Sequence, residues 1–312
     1  MPIGSGRFTY ETEEGWAKIP EGHEFPDASG VTVDSDGNVY ILNRGPHPVI
    51  VLDKNGNFLR SFGEGEFDQR AHGIHAGPEN YIYTINDNQH CIKKYTREGK
   101  LVMVIGKQGK PAEKWTGLPF NRPTNVAVSP NTGDIYITDG YGNSSVHRYS
   151  AEGKHIISWG APGCDPGEFQ IPHNVVVDQD ENVYITDREN YRLQVFDCNG
   201  NLKAIWQNIY RPQALCIDRE GIIYIGEMLM QRDLFDYPKV GHRLNVYNKK
   251  GERLARIGDP DIGDGPNQFI APHGFAVDSQ GNLYVGEVSF HVYGRRFDPP
   301  RIFRCFRKLR RV

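Results

Sequence analysis

Residues 173–196 read HNVVVDQDENVYITDRENYRLQVF, and variants of this stretch recur along the chain. A short apolar strand is followed by a turn rich in Asp, Asn and Gly, then by a strand containing Tyr, then by a third strand. The turn and its Tyr strand occur six times, as DSDGNVYILNR, GPENYIYTIND, PNTGDIYITDG, DQDENVYITDR, DREGIIYIGEM and DSQGNLYVGEV. With the strands that flank each copy, the pattern indicates four strands per repeat and a period of roughly 40 to 60 residues. Such repeats predict an all-β, six-bladed β-propeller.

The sixth repeat is incomplete at its end. After PRIFRCFRKL (residues 300–309) no outermost strand remains, whereas RFTYETEEGWAKI (residues 7–19) belongs to no repeat. We therefore expect this N-terminal segment to supply the missing strand of blade six and to close the ring. The repeats resemble NHL repeats over nearly the whole chain, and we predict a single domain over residues 1–312.

Composition agrees with this fold and argues against several classes of function. Lys and Arg number 36 against 39 Asp and Glu, which is not the basic excess of a nucleic-acid-binding protein. No apolar run predicts a membrane span or a signal peptide. The five cysteines are scattered and lack CxxC spacing, so they predict neither a disulfide framework nor a zinc ribbon. We expect a cytoplasmic monomer that binds neither nucleic acid nor membrane.

The position that opens the innermost strand alternates between residue types around the ring. It is Ser29, Thr124 and Gln213 in blades one, three and five, and His72, His173 and His273 in blades two, four and six. Alternate blades of a six-fold ring lie about 120° apart around the channel, so three imidazoles should converge on the axis. Three histidines with an open fourth position are a ligand set of catalytic zinc. The alternative is that each histidine caps a neighbouring strand.

Several stretches resemble one enzyme family. RAHGI, RPTNVAVSPNTGDIYITDGYGNS, FQIPHNVVVDQDENVYITDRENYRLQVF and APHGFAVDSQGNLYVGE are similar to the catalytic core of peptidyl-α-hydroxyglycine α-amidating lyase. That enzyme is a zinc-dependent, six-bladed propeller that splits a carbinolamide into an amide and glyoxylate. The resemblance implies that His72, His173 and His273 bind zinc, that Tyr141 is the catalytic tyrosine, and that Arg44 binds substrate.

The resemblance also implies a structural calcium ion held partly by the backbone carbonyls of Val31 and Ile74. The chain departs from the family pattern at Gly274, which replaces an acidic calcium ligand, and at Ala271, which replaces a methionine. The disulfide cysteines of the secreted animal enzymes correspond to or lie near Asn121, Gly142, Tyr184 and Val195. These departures disfavour calcium and favour an intracellular protein.

The predicted function is a zinc-dependent lyase acting on an N-(α-hydroxyalkyl) amide, either a small molecule or a peptide-like substrate. Tyr141 would move the proton, and Arg44 would pair with a substrate carboxylate. Two long loops, residues 228–242 and 289–300, are expected to shape specificity through His291, Tyr293, Tyr237 and Arg295.

Acidic residues near the ends of the second strands are expected to anchor those strands or to orient the histidines. They are Asp87, Asp139, Asp187, Glu227 and Glu287. Glu227 and Glu287 are also candidates for an acid or base. Two alternative functions remain open. One is a zinc hydrolase of a small amide or lactone, and the other is a non-catalytic NHL-type interaction module.

Overall fold

The structure is a computed structural model that describes residues 2–228 and 240–312. The strands of these residues form six antiparallel sheets, five of four strands and one of five. The fold is the predicted six-bladed β-propeller with NHL repeats. Contacts divide the chain into two units, which comprise residues 1–61 with 213–312 (unit one) and residues 62–212 (unit two). Within the described ranges, no helix is long and apolar enough to cross a membrane.

Unit two contains blades two, three and four, and their inner three strands are mostly buried. Its core includes Ile85, Ile92, Phe120 and Ile137. Short 3-10 turns follow the second strands of blades two and four, at Asp87–Gln89 and Arg188–Asn190. In chain order the strands are β7 (Ala71–Ala76), β8 (Ile82–Asn86), β9 (Cys91–Tyr95), β10 (Leu101–Gly106), β11 (Asn125–Val128), β12 (Ile135–Asp139), β13 (Ser145–Tyr149), β14 (His155–Trp159), β15 (Pro172–Val177), β16 (Val183–Asp187), β17 (Arg192–Phe196) and β18 (Leu202–Trp206).

Unit one contains blades one, five and six. Blade six is followed by a short helix, α1 (Ser289–Val292), and a 3-10 turn, Gly294–Arg296. The strands are β1 (Ile3–Ser5), β2 (Phe8–Thr12), β3 (Ala28–Val33), β4 (Val39–Asn43), β5 (Val49–Leu52), β6 (Phe58–Phe62), β19 (Pro212–Ile217), β20 (Ile223–Glu227), β21 (Leu244–Tyr247), β22 (Arg253–Ile257), β23 (Pro272–Val277), β24 (Leu283–Glu287) and β25 (Phe306–Arg311).

The N-terminal segment completes blade six, as predicted. The strand order in that sheet is β1-β2-β25-β24-β23, and Tyr10 lies opposite Arg311 across the β2–β25 pair. The third strand of the blade begins at Phe306, later than the predicted stretch. Pro300 has no N–H to donate to a sheet ladder, and residues 301–305 also lie outside the strand.

A buried aspartate explains the repeated turn sequence. Asp178 accepts backbone N–H groups from Asp180 and Asn182, both at 2.9 Å, and the Tyr184 hydroxyl at 3.0 Å. The turn and the Tyr strand are thus tied to one carboxylate. The same Asp-to-Tyr hydrogen bond joins Asp34 to Tyr40, Asp218 to Tyr224 and Asp278 to Tyr284.

Candidate metal centre

The three predicted histidines are buried at equivalent positions. His72, His173 and His273 are each the second residue of the innermost strand of their blade, and each is at most 5% exposed. In all three strands the pairing register shifts across the histidine. Each histidine is therefore the extra residue of a β-bulge, a feature that redirects a side chain away from regular alternation.

Two of the three, His72 and His173 of unit two, have ring centroids 4.9 Å apart. Imidazoles at such spacing suit zinc, for which nitrogen is a preferred ligand. Each of the three buried histidines offers a ring nitrogen to a metal ion.

Backbone carbonyls hold two of the rings. Nδ1 of His72 lies 2.6 Å from the carbonyl oxygen of Thr124, and Nδ1 of His273 lies 2.6 Å from that of Ser29. A carbonyl only accepts hydrogen bonds, so Nδ1 carries the proton and Nε2 keeps its lone pair. This tautomer is the one that presents Nε2 to a metal.

Tyr141 lies directly against this cluster. Its hydroxyl is 2.8 Å from Nε2 of His72 and 3.1 Å from Nε2 of His173. With Nδ1 protonated, Nε2 of His72 is an acceptor, so the Tyr141 hydroxyl donates to it. A neutral imidazole nitrogen is also a ligand that a metal ion can use, and the residues present therefore fit a metal ion.

The carboxylates of the second strands anchor loops. Asp187 accepts the backbone N–H of Gln170 at 2.8 Å, and Glu287 accepts those of Ile270 and Ala271. Burial raises the pKa of both acids, although hydrogen bonds and neighbouring arginines oppose the effect. Their predicted role as strand-end anchors is confirmed for these two residues.

Three arginines surround the Tyr141 ring, and sequence reasoning missed them. The Cζ atoms of Arg122, Arg188 and Arg70 lie 4.9, 5.6 and 5.8 Å from the ring centroid. Arg70 and Arg122 stand two residues before the position that opens the inner strand in blades two and three. That shared position is the signal that would have revealed them.

Two carboxylates, the buried Asp87 and the partly buried Glu189, hold these arginines. Asp87 has no exposed surface. Its carboxylate accepts hydrogen bonds from Nε and Nη2 of Arg70 and, at 3.0 Å, from Nη2 of Arg122. These bonds raise the pKa of Arg70 despite its burial. Glu189 accepts Nε of Arg188 at 2.8 Å and Nη2 of Arg211 at 2.7 Å.

The charges around Glu189 decide its ionisation. Burial alone would raise its pKa, but hydrogen bonds and charges from Arg211 and Arg188 outweigh burial and lower the pKa. Glu189 is therefore held as a carboxylate.

Arg44 and His291 lie around Asp27 in unit one. The N–H of Arg44 donates to the Asp27 carbonyl at 3.3 Å, while the Asp27 carboxylate accepts N–H groups of Phe290 and His291. Burial raises the pKa of Asp27, and the charge of Arg44 opposes that rise. The carboxylate-binding role of Arg44 and the specificity role of His291 stay predictions.

Tyr293 lies in an aromatic cluster. Its ring centroid is 5.2 Å from that of Phe297 and 5.4 Å from that of Phe303. These contacts give Tyr293 a packing role, and its substrate-binding role stays a prediction. Tyr237 and most of the blade-five loop fall in residues 229–239, outside the part of the chain that the structure describes.

The implied calcium ligands Val31 and Ile74 lie in ordinary strand pairs, opposite Ile41 and Thr84. A Cβ atom on Gly274 would lie 2.5 Å from the Cα of Gly30. An acidic ligand therefore does not fit at position 274 with the present backbone, so the calcium site lacks its carboxylate.

Close packing also accounts for Gly142, which corresponds to or lies near a disulfide cysteine of the secreted animal enzymes. A Cβ on Gly142 would lie 2.2 Å from Oδ1 of Asn121, whose amide also donates to the Ala112 carbonyl at 2.7 Å. The Asn121 side chain thus fills the space between the two positions.

Comparison with known proteins places the chain in a family. Residues 120–149 and 169–196 match the NHL repeat. NHL repeat-containing protein 3 of Homo sapiens is 34% identical over 306 residues, which span 90% of this chain and 82% of that protein.

Two further likenesses concern lyases. Peptidyl-alpha-hydroxyglycine alpha-amidating lyase 1 of Drosophila melanogaster is 29% identical over 243 residues, 72% of this chain but 43% of that protein. A solved streptogramin B lyase structure shares the fold, with a TM-score of 0.61, 14% identity, and 99% and 98% of the two chains covered. On the strength of the human relative, the chain belongs to the NHL-repeat family that includes NHL repeat-containing protein 3.

Proposed function

We propose that this protein is a zinc-dependent lyase that cleaves an N-(α-hydroxyalkyl) amide into an amide and a carbonyl compound such as glyoxylate. The observation that carries the proposal is the Tyr141 hydroxyl within hydrogen-bond distance of two buried histidines, at 2.8 and 3.1 Å. The 29% identity to an amidating lyase supports the reaction class.

His72, His173 and His273 would hold the ion, which supplies Lewis acidity toward a substrate oxygen when bound. The carbonyl groups of Thr124 and Ser29 keep two of the rings in the tautomer that leaves Nε2 unprotonated. All three histidines are buried, each with at most 5% of its surface exposed.

Tyr141 would carry the proton through the reaction. The α-hydroxyl loses its proton and becomes a carbonyl, the carbon–nitrogen bond breaks, and the amide nitrogen gains a proton. A single group beside the reacting centre can accept the first proton and donate the second. The positive charges of Arg70, Arg122 and Arg188 around the ring stabilise negative charge that develops there.

A substrate carboxylate would pair with arginine. Arg44 is the predicted partner. Arg188 is a second candidate because, among the contacts of the described residues, Glu189 takes its Nε and leaves the terminal amino groups. Its terminal amino groups can form the planar, two-bonded pair that guanidinium makes with a carboxylate.

Metal analysis of the purified protein tests the proposal. We expect about one zinc per chain in the wild type and a loss of that zinc in His173→Ala. His155→Ala is the matched control, because His155 is an exposed histidine on β14 of the same unit. The metal-loaded wild type should release glyoxylate from N-benzoyl-α-hydroxyglycine.

Other results would redirect the proposal. Zinc binding with cleavage of simple amides or lactones, and none of hydroxyglycine amides, would favour a hydrolase. A folded wild type that takes up no supplied zinc would overturn the metal enzyme and favour an interaction module.

We also propose that the protein acts in the cytoplasm as a monomer, without nucleic-acid or membrane partners. All five cysteines are free thiols, three of them buried, which suits a reducing compartment. Light scattering during gel filtration would test the monomeric state. A mass near 35.3 kDa is expected, and the mass of a dimer would contradict the proposed monomer.

A further inference from the structure

We infer that Arg70 and Arg122, held by the buried Asp87, form an anion subsite beside Tyr141 that selects substrates with a second carboxylate. This inference rests on the proposed function, because that function assigns the first carboxylate to the reacting end of the substrate. The second would lie on the acyl side of the amide.

The charge balance around Tyr141 leaves an excess of positive charge. Among the described contacts, Arg70 and Arg122 share Asp87, and Arg188 and Arg211 share Glu189. Four guanidinium groups thus meet two carboxylates in these ion pairs, and Asp68 adds one further negative charge near Arg70. Positive charge remains in excess. A ligand carboxylate would reduce that excess, and partly buried cations without counterions are costly.

The arginines form two separate donor sets. Arg188 is tied to Glu189 through Nε, whereas Arg122 is tied to Asp87 through Nη2. The Nε of Arg122 is buried and has no hydrogen-bond partner, yet 36% of the side chain is exposed. Arg122 therefore has donors in reserve and access to a ligand. Two donor sets on one tyrosine ring fit two anionic groups better than one.

Asp87 positions this subsite. It accepts both Nε and Nη2 of Arg70, so that guanidinium plane is fixed, and its own side chain has no exposed surface. A preorganised guanidinium loses little entropy when it binds a carboxylate. A carboxylate is the chemistry we assign, because its two oxygens match the guanidinium fork.

Binding of two unreactive glycine derivatives tests the subsite. N-succinylglycine and N-butyrylglycine have acyl groups of equal carbon number, and only the first carries a second carboxylate. We expect calorimetry to show about tenfold tighter binding of N-succinylglycine to the wild type, since one charge-assisted pair contributes about 1.4 kcal/mol. The preference should shrink as salt is raised.

Variants separate the subsite from general charge. Arg122→Gln and Arg70→Gln should each reduce the ratio of the two affinities toward one. Arg148→Gln is the matched control, because Arg148 also pairs with an aspartate, Asp134, and lies 5.8 Å from a tyrosine ring in the same unit. Its ratio should equal that of the wild type.

The inference is overturned if the wild type shows no preference or no binding of N-succinylglycine, or if both glutamine variants keep the preference. If Arg70→Gln fails to fold, Arg122→Gln alone tests the inference, because Arg122 is the more exposed of the two. Because the readout is binding, a wild-type preference for N-succinylglycine that both glutamine variants lose, without any turnover, would refute the lyase and leave the subsite standing.

Discussion

Tyr141 is the residue on which the proposed chemistry depends. It follows β12 in the sequence DGY, and its hydroxyl reaches His72 and His173 across chain separations of 69 and 32 residues. Its neighbour Gly140 has no side chain, and a Cβ there would lie 2.2 Å from the Pro172 carbonyl. The glycine therefore permits the close approach that brings Tyr141 to the histidines.

Tyr141→Phe should lower kcat by about 10²- to 10⁴-fold, because it removes the group that accepts and returns the proton. Zinc content should stay at the wild-type level, since the histidines remain. Turnover of N-benzoyl-α-hydroxyglycine and metal content are the measurements. Tyr136→Phe is the control, because the buried Tyr136 hydroxyl has no hydrogen-bond partner. Full activity in Tyr141→Phe would refute the proton-transfer role.

Glu189→Gln should destabilise the protein in a pH-dependent way. The pKa of Glu189 is lowered in the fold, so its ion pairs stabilise the protein above the unfolded pKa of about 4.3. That contribution, about 1–3 kcal/mol for bonds to charged groups, is lost as pH falls through the lower folded pKa. Urea unfolding should separate variant from wild type at pH 7, and the difference should be smaller at pH 3.

The control for this experiment is Glu152→Gln, which alters an exposed glutamate whose hydrogen bond is to Ser150. It should leave the urea midpoint almost unchanged at both pH values. An equal loss at pH 7 and pH 3 in Glu189→Gln would show that packing, and not charge, is responsible.

At the scale of elements, the β-bulge and the aspartate turn have different structural roles. The bulge at the start of an inner strand redirects a side chain, as at His72, His173 and His273. The turn at the other end ties two strands together through one buried carboxylate, as at Asp178. The bulges and the turns thus lie at opposite ends of the inner strands, as His173 and Asp178 do at the two ends of β15.

Asp178→Ala should lower the free energy of unfolding by about 2–4 kcal/mol. It leaves the buried Tyr184 hydroxyl and two part-buried backbone N–H groups without their acceptor. Asp197→Ala is the control, because Asp197 accepts similar N–H bonds in an exposed turn. It should cost about 1 kcal/mol or less. Equal costs for the two variants would contradict the argument.

At the scale of the whole molecule, blade six is assembled from both ends of the chain. Its third strand, β25, pairs with β2, and the side chains of Phe8 and Tyr10 from β2 are buried in the core of unit one. The pairing satisfies the edge of β25, which would otherwise be open to other chains.

Deletion of residues 2–12 should lower the melting temperature by about 10 °C, because the burial of two aromatic side chains is lost. The exposed β25 edge should also promote self-association, visible in gel filtration. Deletion of residues 2–6 is the control, since it removes only the mostly exposed β1 and should change the melting temperature little. A stable monomer after the longer deletion would contradict the closure argument.

The sequence by itself determined the number of blades, the strand order and the closing role of residues 7–19, because strand periodicity and turn chemistry are local. It also predicted a metal site from His72, His173 and His273, which share one position in alternate repeats. Tyr141 came from resemblance to a family.

Only the tertiary structure decided which side chains meet. Arg70, Arg122 and Arg188 are far apart in the chain and come together around the Tyr141 ring. The bulges that aim the histidines, and the Thr124 carbonyl that sets the His72 tautomer, are equally invisible in the sequence. The physical reason is that a side chain's direction and partners depend on strand pairing and packing between blades, which no local pattern specifies.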